Sequence, residues 1–242
     1  MEETDTSIPG PSAPHNGTIT ALAGLFEQLN TLTSLDEASI AVVEFAVAHL
    51  GSDLAGICLV ELSGQPLRLA ASSNVLVELD SIEAALGQGP GMVRLDDGAV
   101  IRVPDTRADR LWPDWSAAAA EQGMLSVHLV GMPPLRGRSI ALQLFSHRVD
   151  ALADGDRAET LAAVAKLVGL ALGHIDRLAN LAEAVATRDL IGQALGIVME
   201  RYGVTSEQAM QFLRRSSQDR QEKVRHIAQR LVDGDDSPSV AG

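Results

Sequence analysis

Eight apolar residues between positions 161 and 185 constrain this chain more than any other feature. Leu161, Val164, Val168, Ala171, Ile175, Leu178, Ala182 and Val185 recur at alternating spacings of three and four. That is a heptad seam of more than three repeats, which aligns one stripe of a helix with another surface along its length. The spacing predicts one long helix from Asp156 onward. Two surfaces compete for the stripe: the core of an adjoining sheet, or a second copy of the same helix. Both are compatible with its length, the first turns covering a sheet and the later ones pairing. Gly169 and Gly173 predict close backbone approach. At Asp189 and Gly192 the seam fails, so a new packing unit is expected there.

Upstream of the seam, helical and strand patterns mix. Residues 18–33 have helical periodicity through Leu22, Leu25, Phe26 and Leu29. Ser34 with Glu37 reads as a capping box for a helix that runs to Leu50 and stops at Gly51. The β-branched run 54–62 and the run 67–73, separated by Ser63-Gly64-Gln65-Pro66, predict a hairpin. A helix over 75–86 is closed by Gly87, and Gly87-Gln88-Gly89-Pro90-Gly91 is a loop by composition. A short strand over 99–104, a turn and short helix over 107–123, and two strands over 126–135 and 138–149 complete this part. Hairpin-linked strands flanked by helices imply an α+β domain on an antiparallel sheet.

Downstream of the seam the pattern is purely helical. Residues 188–203 carry Ile191, Leu195, Val198 and Met199 on one face. Thr205 with Gln208 reads as a capping box for a second helix, and Asp219 with Glu222 as one for a third, which Gly234 closes. Three short amphipathic helices make a small bundle that needs its neighbouring helix for stability.

Charge separates the two parts. The net charge is −13, yet residues 182–232 hold 8 Lys and Arg against 6 Asp and Glu, and residues 212–230 hold six cations against two acids. An acidic chain does not coat nucleic acid over its whole surface, so any such contact belongs to this C-terminal patch. On charge alone the patch is no more than a solvated helix face. Aromatic residues are only 3% of the chain, which argues against a base-stacking platform.

The C-terminal residues carry a family resemblance. Arg188, Ile191, Gln193-Ala194, Gly196-Ile197, Met199, Ala209, Leu213-Arg214, Ser217, Lys223 and Ala228 resemble, in register, the ANTAR domain, a three-helix RNA-binding module of bacterial transcription antiterminators. Upstream, GQGP at 87–90, VPD at 103–105, RLWPDW at 110–115 and ALQLFS at 141–146 resemble a GAF domain. The resemblance implies a GAF-like sensor domain over 18–175, a connecting and dimerisation helix over 156–187 and an ANTAR domain over 182–234, while composition makes flexible tails of 1–17 and 235–242. It implies a cytoplasmic homodimeric regulator that holds a two-hairpin leader RNA and so prevents the competing terminator. The residues expected to meet RNA are Arg188, Gln193, Arg201, Arg214, Arg215, Lys223 and Arg225. A GAF cavity for an unidentified small molecule is expected near Trp112, Trp115, Gln88 and Asp105.

Two positions depart from the family pattern: Leu195 stands where a lysine is usual, and Gln221 where an asparagine is usual. The runner-up reading is therefore a ligand-sensing or protein-interaction dimer whose ANTAR module no longer binds RNA. A third reading, a GAF-type reductase of oxidised methionine, requires a set of cysteines, and the chain has only Cys58, in an apolar strand-like run. One cysteine also makes an intramolecular disulfide impossible. The six histidines show no metal-ligand spacing, and no nucleophile–base pattern rises above chance, so no metal, cofactor or enzymatic activity is expected. The first residues have no basic or apolar leader segment, and the apolar stretch 161–175 is too short to span a bilayer and carries Lys166.

Overall fold

The computed structural model describes residues 16–61, 63–151 and 155–234, with the side chains of 155–157 left aside. The tails expected at 1–17 and 235–242 lie outside the described residues, except that Asn16 and Gly17 open the first helix. Two compact units are formed, one reaching Arg177 and the other beginning at Leu178.

In the first unit, α1 (Asn16–Leu29) and α2 (Leu35–His49) precede the hairpin β1 (Leu54–Val60) and β2 (Pro66–Ala71). Then come α3 (Asn74–Leu86), β3 (Val100–Val103), α4 (Pro113–Glu121) and the hairpin β4 (Ser126–Leu135) and β5 (Arg138–Ser146). The five strands are ordered β2-β1-β5-β4-β3. Each neighbouring pair is antiparallel. The turn between β4 and β5 is Arg136-Gly137, both with positive φ (52° and 73°), the geometry that two-residue hairpins favour.

The capping box expected at Ser34 does not form. Ser34 is the N-cap of α2 with no side-chain cap bond, and Asp36 and Glu37 serve the first turn as negative charge at the positive end of the helix.

Alternation along the strands divides the core into two layers. Ile57, Leu59, Ile140, Leu142, Leu144, Val130 and Met132 point to one face, where α1, α2 and the next helix cover them. Val127, Leu129 and Phe145 point to the other, under Leu76 and Leu79 of α3 and Trp115 and Ala119 of α4.

That next helix, α5, runs unbroken from Gly155 to Tyr202. The failed heptad at Asp189 and Gly192 thus changes the packing partner without breaking the helix. Both residues are exposed, and an exposed mid-helix glycine costs only about 1 kcal/mol. The seam divides as its length allowed. Leu161, Val164, Val168 and Ile175 are buried in the sheet core, whereas Leu178 and Val185 are each 53% exposed. Residues 158–202 have the length and hydropathy of a membrane span. Much of that hydropathy is explained by Leu161, Val164, Ala165, Val168, Leu172 and Ile175 filling the sheet core.

Gly169 is where α5 meets β4 most closely. A Cβ there would lie 2.6 Å from Pro133 Cδ and 2.9 Å from Met132 Cβ, both held by the sheet. At Gly173 the nearest atom would be the end of the Arg177 side chain at 3.5 Å. Only the first of the two glycines is therefore needed for close approach. Gly169→Ala should destabilise the first unit by about 1–3 kcal/mol through overpacking, and Gly173→Ala should stabilise it by up to about 1 kcal/mol through helix propensity. Urea unfolding followed by circular dichroism checks the opposite signs.

Candidate functional site

The second unit contains the last turns of α5, α6 (Ser206–Arg220) and α7 (Val224–Asp233). Its core is Ala194 and Val198 of α5, Ala209 and Leu213 of α6, and Ile227, Ala228 and Leu231 of α7. The capping box at Thr205 is complete: Gln208 N–H donates to Thr205 Oγ1 (3.3 Å), and Thr205 N–H donates to Gln208 Oε1 (2.9 Å).

The third box, expected at Asp219 and Glu222, is absent. Asp219 lies within α6, and α7 begins after an N-cap Lys223 that makes no side-chain cap bond. The reason lies at Gln221, whose left-handed backbone (φ 52°, ψ 36°) ends α6. Asparagine adopts this conformation more readily than glutamine. The usual asparagine at this position therefore has a backbone reason. Leu195, the other departure, is half-buried and packs against the bundle core.

Burying that core turns the cations outward. Arg188, Arg201, Arg214, Arg215 and Lys223 are exposed and form no ion pair among the described residues. Arg225 differs, because its guanidinium donates to the Glu183 carboxylate on α5. Arg230 is paired with Glu222 at 2.5 Å.

Two grooves flank the Glu183–Arg225 pair. The larger, of about 590 Å³, brings Arg188 and Arg225 together with Asn180, Thr187, Ile191 and Met210. The smaller, of about 360 Å³, holds Gln193 and Arg225 with Leu190 and Gln229. Arg214 follows Met210 by one turn of α6, so it shares that helix face. Arg201 lies at the end of α5, apart from the residues that line either groove. Sequence reasoning missed Asn180, Glu183 and Thr187, although the spacing 180, 183, 187, 191 sets them on one face of α5.

In the sheet domain, Trp115 is fully buried and Trp112 half-buried, with the rings edge to face at 6.3 Å and 82°. Asp105 caps the turn Thr106–Ala108 and holds the Arg107 guanidinium at 2.8 Å, which keeps its carboxyl below the usual range. Gln88 donates to Asp114 Oδ2 at 2.9 Å. Gln88 and Asp105 thus have local partners.

A polar network on the sheet was not singled out by sequence. On the face under α3, Arg68 of β2 makes a two-pronged ion pair with Asp80 of α3 (2.8 and 2.5 Å). Its third nitrogen, Nη1, reaches over Gly56 of β1 to Gln143 Oε1 of β5 (2.6 Å). Beside them lies Glu83, 1% exposed, whose Oε1 accepts the Met92 N–H at 2.8 Å. The GQGPG loop folds over this carboxylate. Gly89 has φ 154°, and a Cβ there would lie 2.6 Å from Glu83 Cγ, so only glycine suits the position.

Burial, against the opposing Gly91 and Met92 amides, raises the Glu83 carboxyl to about 7. Cys58 is 2% exposed, and burial pushes its thiol up to about 12, which leaves it a core thiol rather than a nucleophile. Among the described residues no group of three or more His, Cys, Asp or Glu side chains is arranged to hold a metal ion.

Antiparallel sheet, long helix and three-helix bundle together make up two compact units. Residues 179–232 match the ANTAR domain. Among solved structures the chain is similar to the bacteriophytochrome RpBphP3 of R. palustris, at 10% identity over 84% of this chain and 47% of that one, TM-score 0.56. It is equally similar to the Stigmatella aurantiaca phytochrome photosensory core module, at 11% identity over 84% and 45%, TM-score 0.56. A GAF domain of a putative sensor histidine kinase from Pseudomonas syringae pv. tomato aligns at 16% identity over 71% and 93%, TM-score 0.48. No curated protein matches in sequence. The segment that matches the ANTAR domain, 179–232, lies within the second unit.

The raised Glu83 pKa has a defined pH signature. Its folded value lies above the usual 4.5, so its contribution to stability is full below about pH 4.5 and is lost as pH rises to about 7. The span corresponds to about 3 kcal/mol. His128, which burial depresses from 6.5 to about 4, acts with the opposite sign between those values. The Glu83 share is therefore read as a difference. Between pH 4.5 and 7.5 the wild type should lose about 3 kcal/mol relative to Glu83→Gln in urea melts, whereas parallel pH profiles would contradict this.

Proposed function

We propose that the chain is an RNA-binding transcription antitermination regulator. Its bundle grips a two-hairpin leader RNA and keeps the terminator from forming, and its sheet domain carries the signal. The observation that supports this best is the set of exposed cations Arg188, Arg201, Arg214, Arg215 and Lys223, which form no ion pair among the described residues, on the bundle of an otherwise acidic chain. Cations without protein partners are available to phosphates, and each contact made releases counterions. The bundle's two rings, Tyr202 and Phe212, pack on each other at 6.5 Å, so several-fold base stacking is not on offer. Recognition then rests on hairpin shape and on Arg and Lys contacts.

Pairing of two copies through the 156–187 helix completes the reading. Leu178, Leu181 and Val185, at spacings of three and four, are 53%, 62% and 53% exposed. An apolar stripe of this kind on a long helix is suited to a second copy. A dimer presents two bundles to two hairpins, which multiplies a modest single-site affinity. Such a regulator works in the cytoplasm, where transcripts are made.

The test is a gel shift with a two-hairpin leader RNA over a salt series. Arg214→Glu with Arg215→Glu should weaken binding more than tenfold and lower the salt slope by about two, with the helical circular dichroism unchanged. Leu195→Lys should strengthen binding, its stem lying along the core edge and its ammonium reaching solvent. If the wild type binds no hairpin RNA at low salt and Leu195→Lys restores binding, the degenerate-module reading takes its place. Leu181→Glu with Val185→Glu should give a monomer in sedimentation.

A further inference from the structure

Glu183 and Arg225 both line both grooves of the bundle, so their ion pair stands between the two. Three features set this pair apart from an ordinary surface pair. Arg225 lies in the first turn of α7, directly after Lys223 and Val224, and that turn holds no acidic residue. Cations at the positive end of a helix are unfavourable for the isolated fold, so this end is more positive than folding requires. Next, an anion is already seated there: the Glu183 carboxylate reaches Arg225 Nη1 from another helix, 42 residues earlier in the chain. Finally, Glu183 is the one acidic residue lining the larger groove, whose other charged lining residues are Arg188 and Arg225. Without Glu183 the trough is purely cationic, over the apolar surface of Ile191 and Met210.

We propose that this trough seats a backbone phosphate of the RNA on Arg188 and Arg225, and that Glu183 is an internal surrogate for that phosphate which the RNA displaces. The inference rests on the RNA-binding reading and names its regulation. Carboxylate and phosphate oxygens satisfy a guanidinium in the same forked geometry, so they compete for the same N–H groups. Both partners are substantially exposed, 39% for Arg225 and 61% for Glu183, so the pair is weak enough to open. It lowers affinity by a few-fold rather than abolishing it, and it disfavours single, poorly aligned phosphates. Any movement of α5 that withdraws Glu183 from α7 would strengthen RNA binding without touching an RNA-contacting residue.

The test compares Glu183→Gln with Glu200→Gln, which removes the same charge from an exposed site on α5 outside both grooves. Each full-length variant is titrated with a two-hairpin leader RNA and, separately, with linear inorganic polyphosphate. Glu183→Gln should bind both probes about three- to fivefold more tightly than wild type. Its salt slope should be steeper by up to about one. Glu200→Gln should show less than half of that gain, and the gain from Glu183→Gln should vanish in an Arg225→Gln background. Equal gains in Glu183→Gln and Glu200→Gln, or a gain that persists without Arg225, overturn the latch. An Arg225-dependent gain on polyphosphate without any hairpin binding overturns the RNA reading and leaves the latch standing. Hairpin binding that Glu183→Gln does not change overturns the latch alone.

Discussion

One helix contributes to two cores, and the rest of the structure depends on that division. Leu161, Val164, Val168, Leu172 and Ile175 of α5 complete the sheet domain, and Ala194 and Val198 complete the bundle. Neither core closes without its share of α5, because an amphipathic element must bury its apolar stripe against something. Between the two sets, Leu178, Leu181 and Val185 are exposed. A single continuous helix thereby contributes to both units.

The sheet has its own internal polarity. Its α1–α2–α5 face is packed with aliphatic side chains, whereas its α3 face mixes Trp115, Leu76 and Phe145 with buried Gln143 and Glu83 and half-buried Arg68 and Asp80. Arg68 and Asp80 neutralise each other. Glu83 holds its proton because burial disfavours its charged form more than the amides of the glycine loop favour it.

In the bundle, electrostatics and packing are separable. Seven small or aliphatic residues form the core, and the charged residues lie almost entirely outside it. Arginines on such a scaffold are held by helices rather than loops, so their spacing is fixed before any partner arrives, which reduces the ordering cost of binding. Arg225 and Arg230 differ, since each is paired with a carboxylate, that of Glu183 and of Glu222, which makes their availability a matter of equilibrium.

Much of this was legible in the sequence. Strand alternation and turn residues predicted the two hairpins, Gly87 and Gly234 predicted their helix ends, and Thr205 with Gln208 predicted a cap that is complete on both sides. These are local: backbone sterics and hydrogen-bond reach act within a few residues. The capping boxes at Ser34 and Asp219 show where that reach ends. Serine offers a hydroxyl but the helix start does not engage it, and the left-handed turn at Gln221 shifts the next helix past Asp219. What only the tertiary structure decided is long-range: which seam residues meet the sheet, that Glu83 lies under the glycine loop, that Arg68 crosses β1 at Gly56, and that Glu183 faces Arg225. Periodicity assigns a residue to a face, but the partner of that face depends on chain closure over tens of residues.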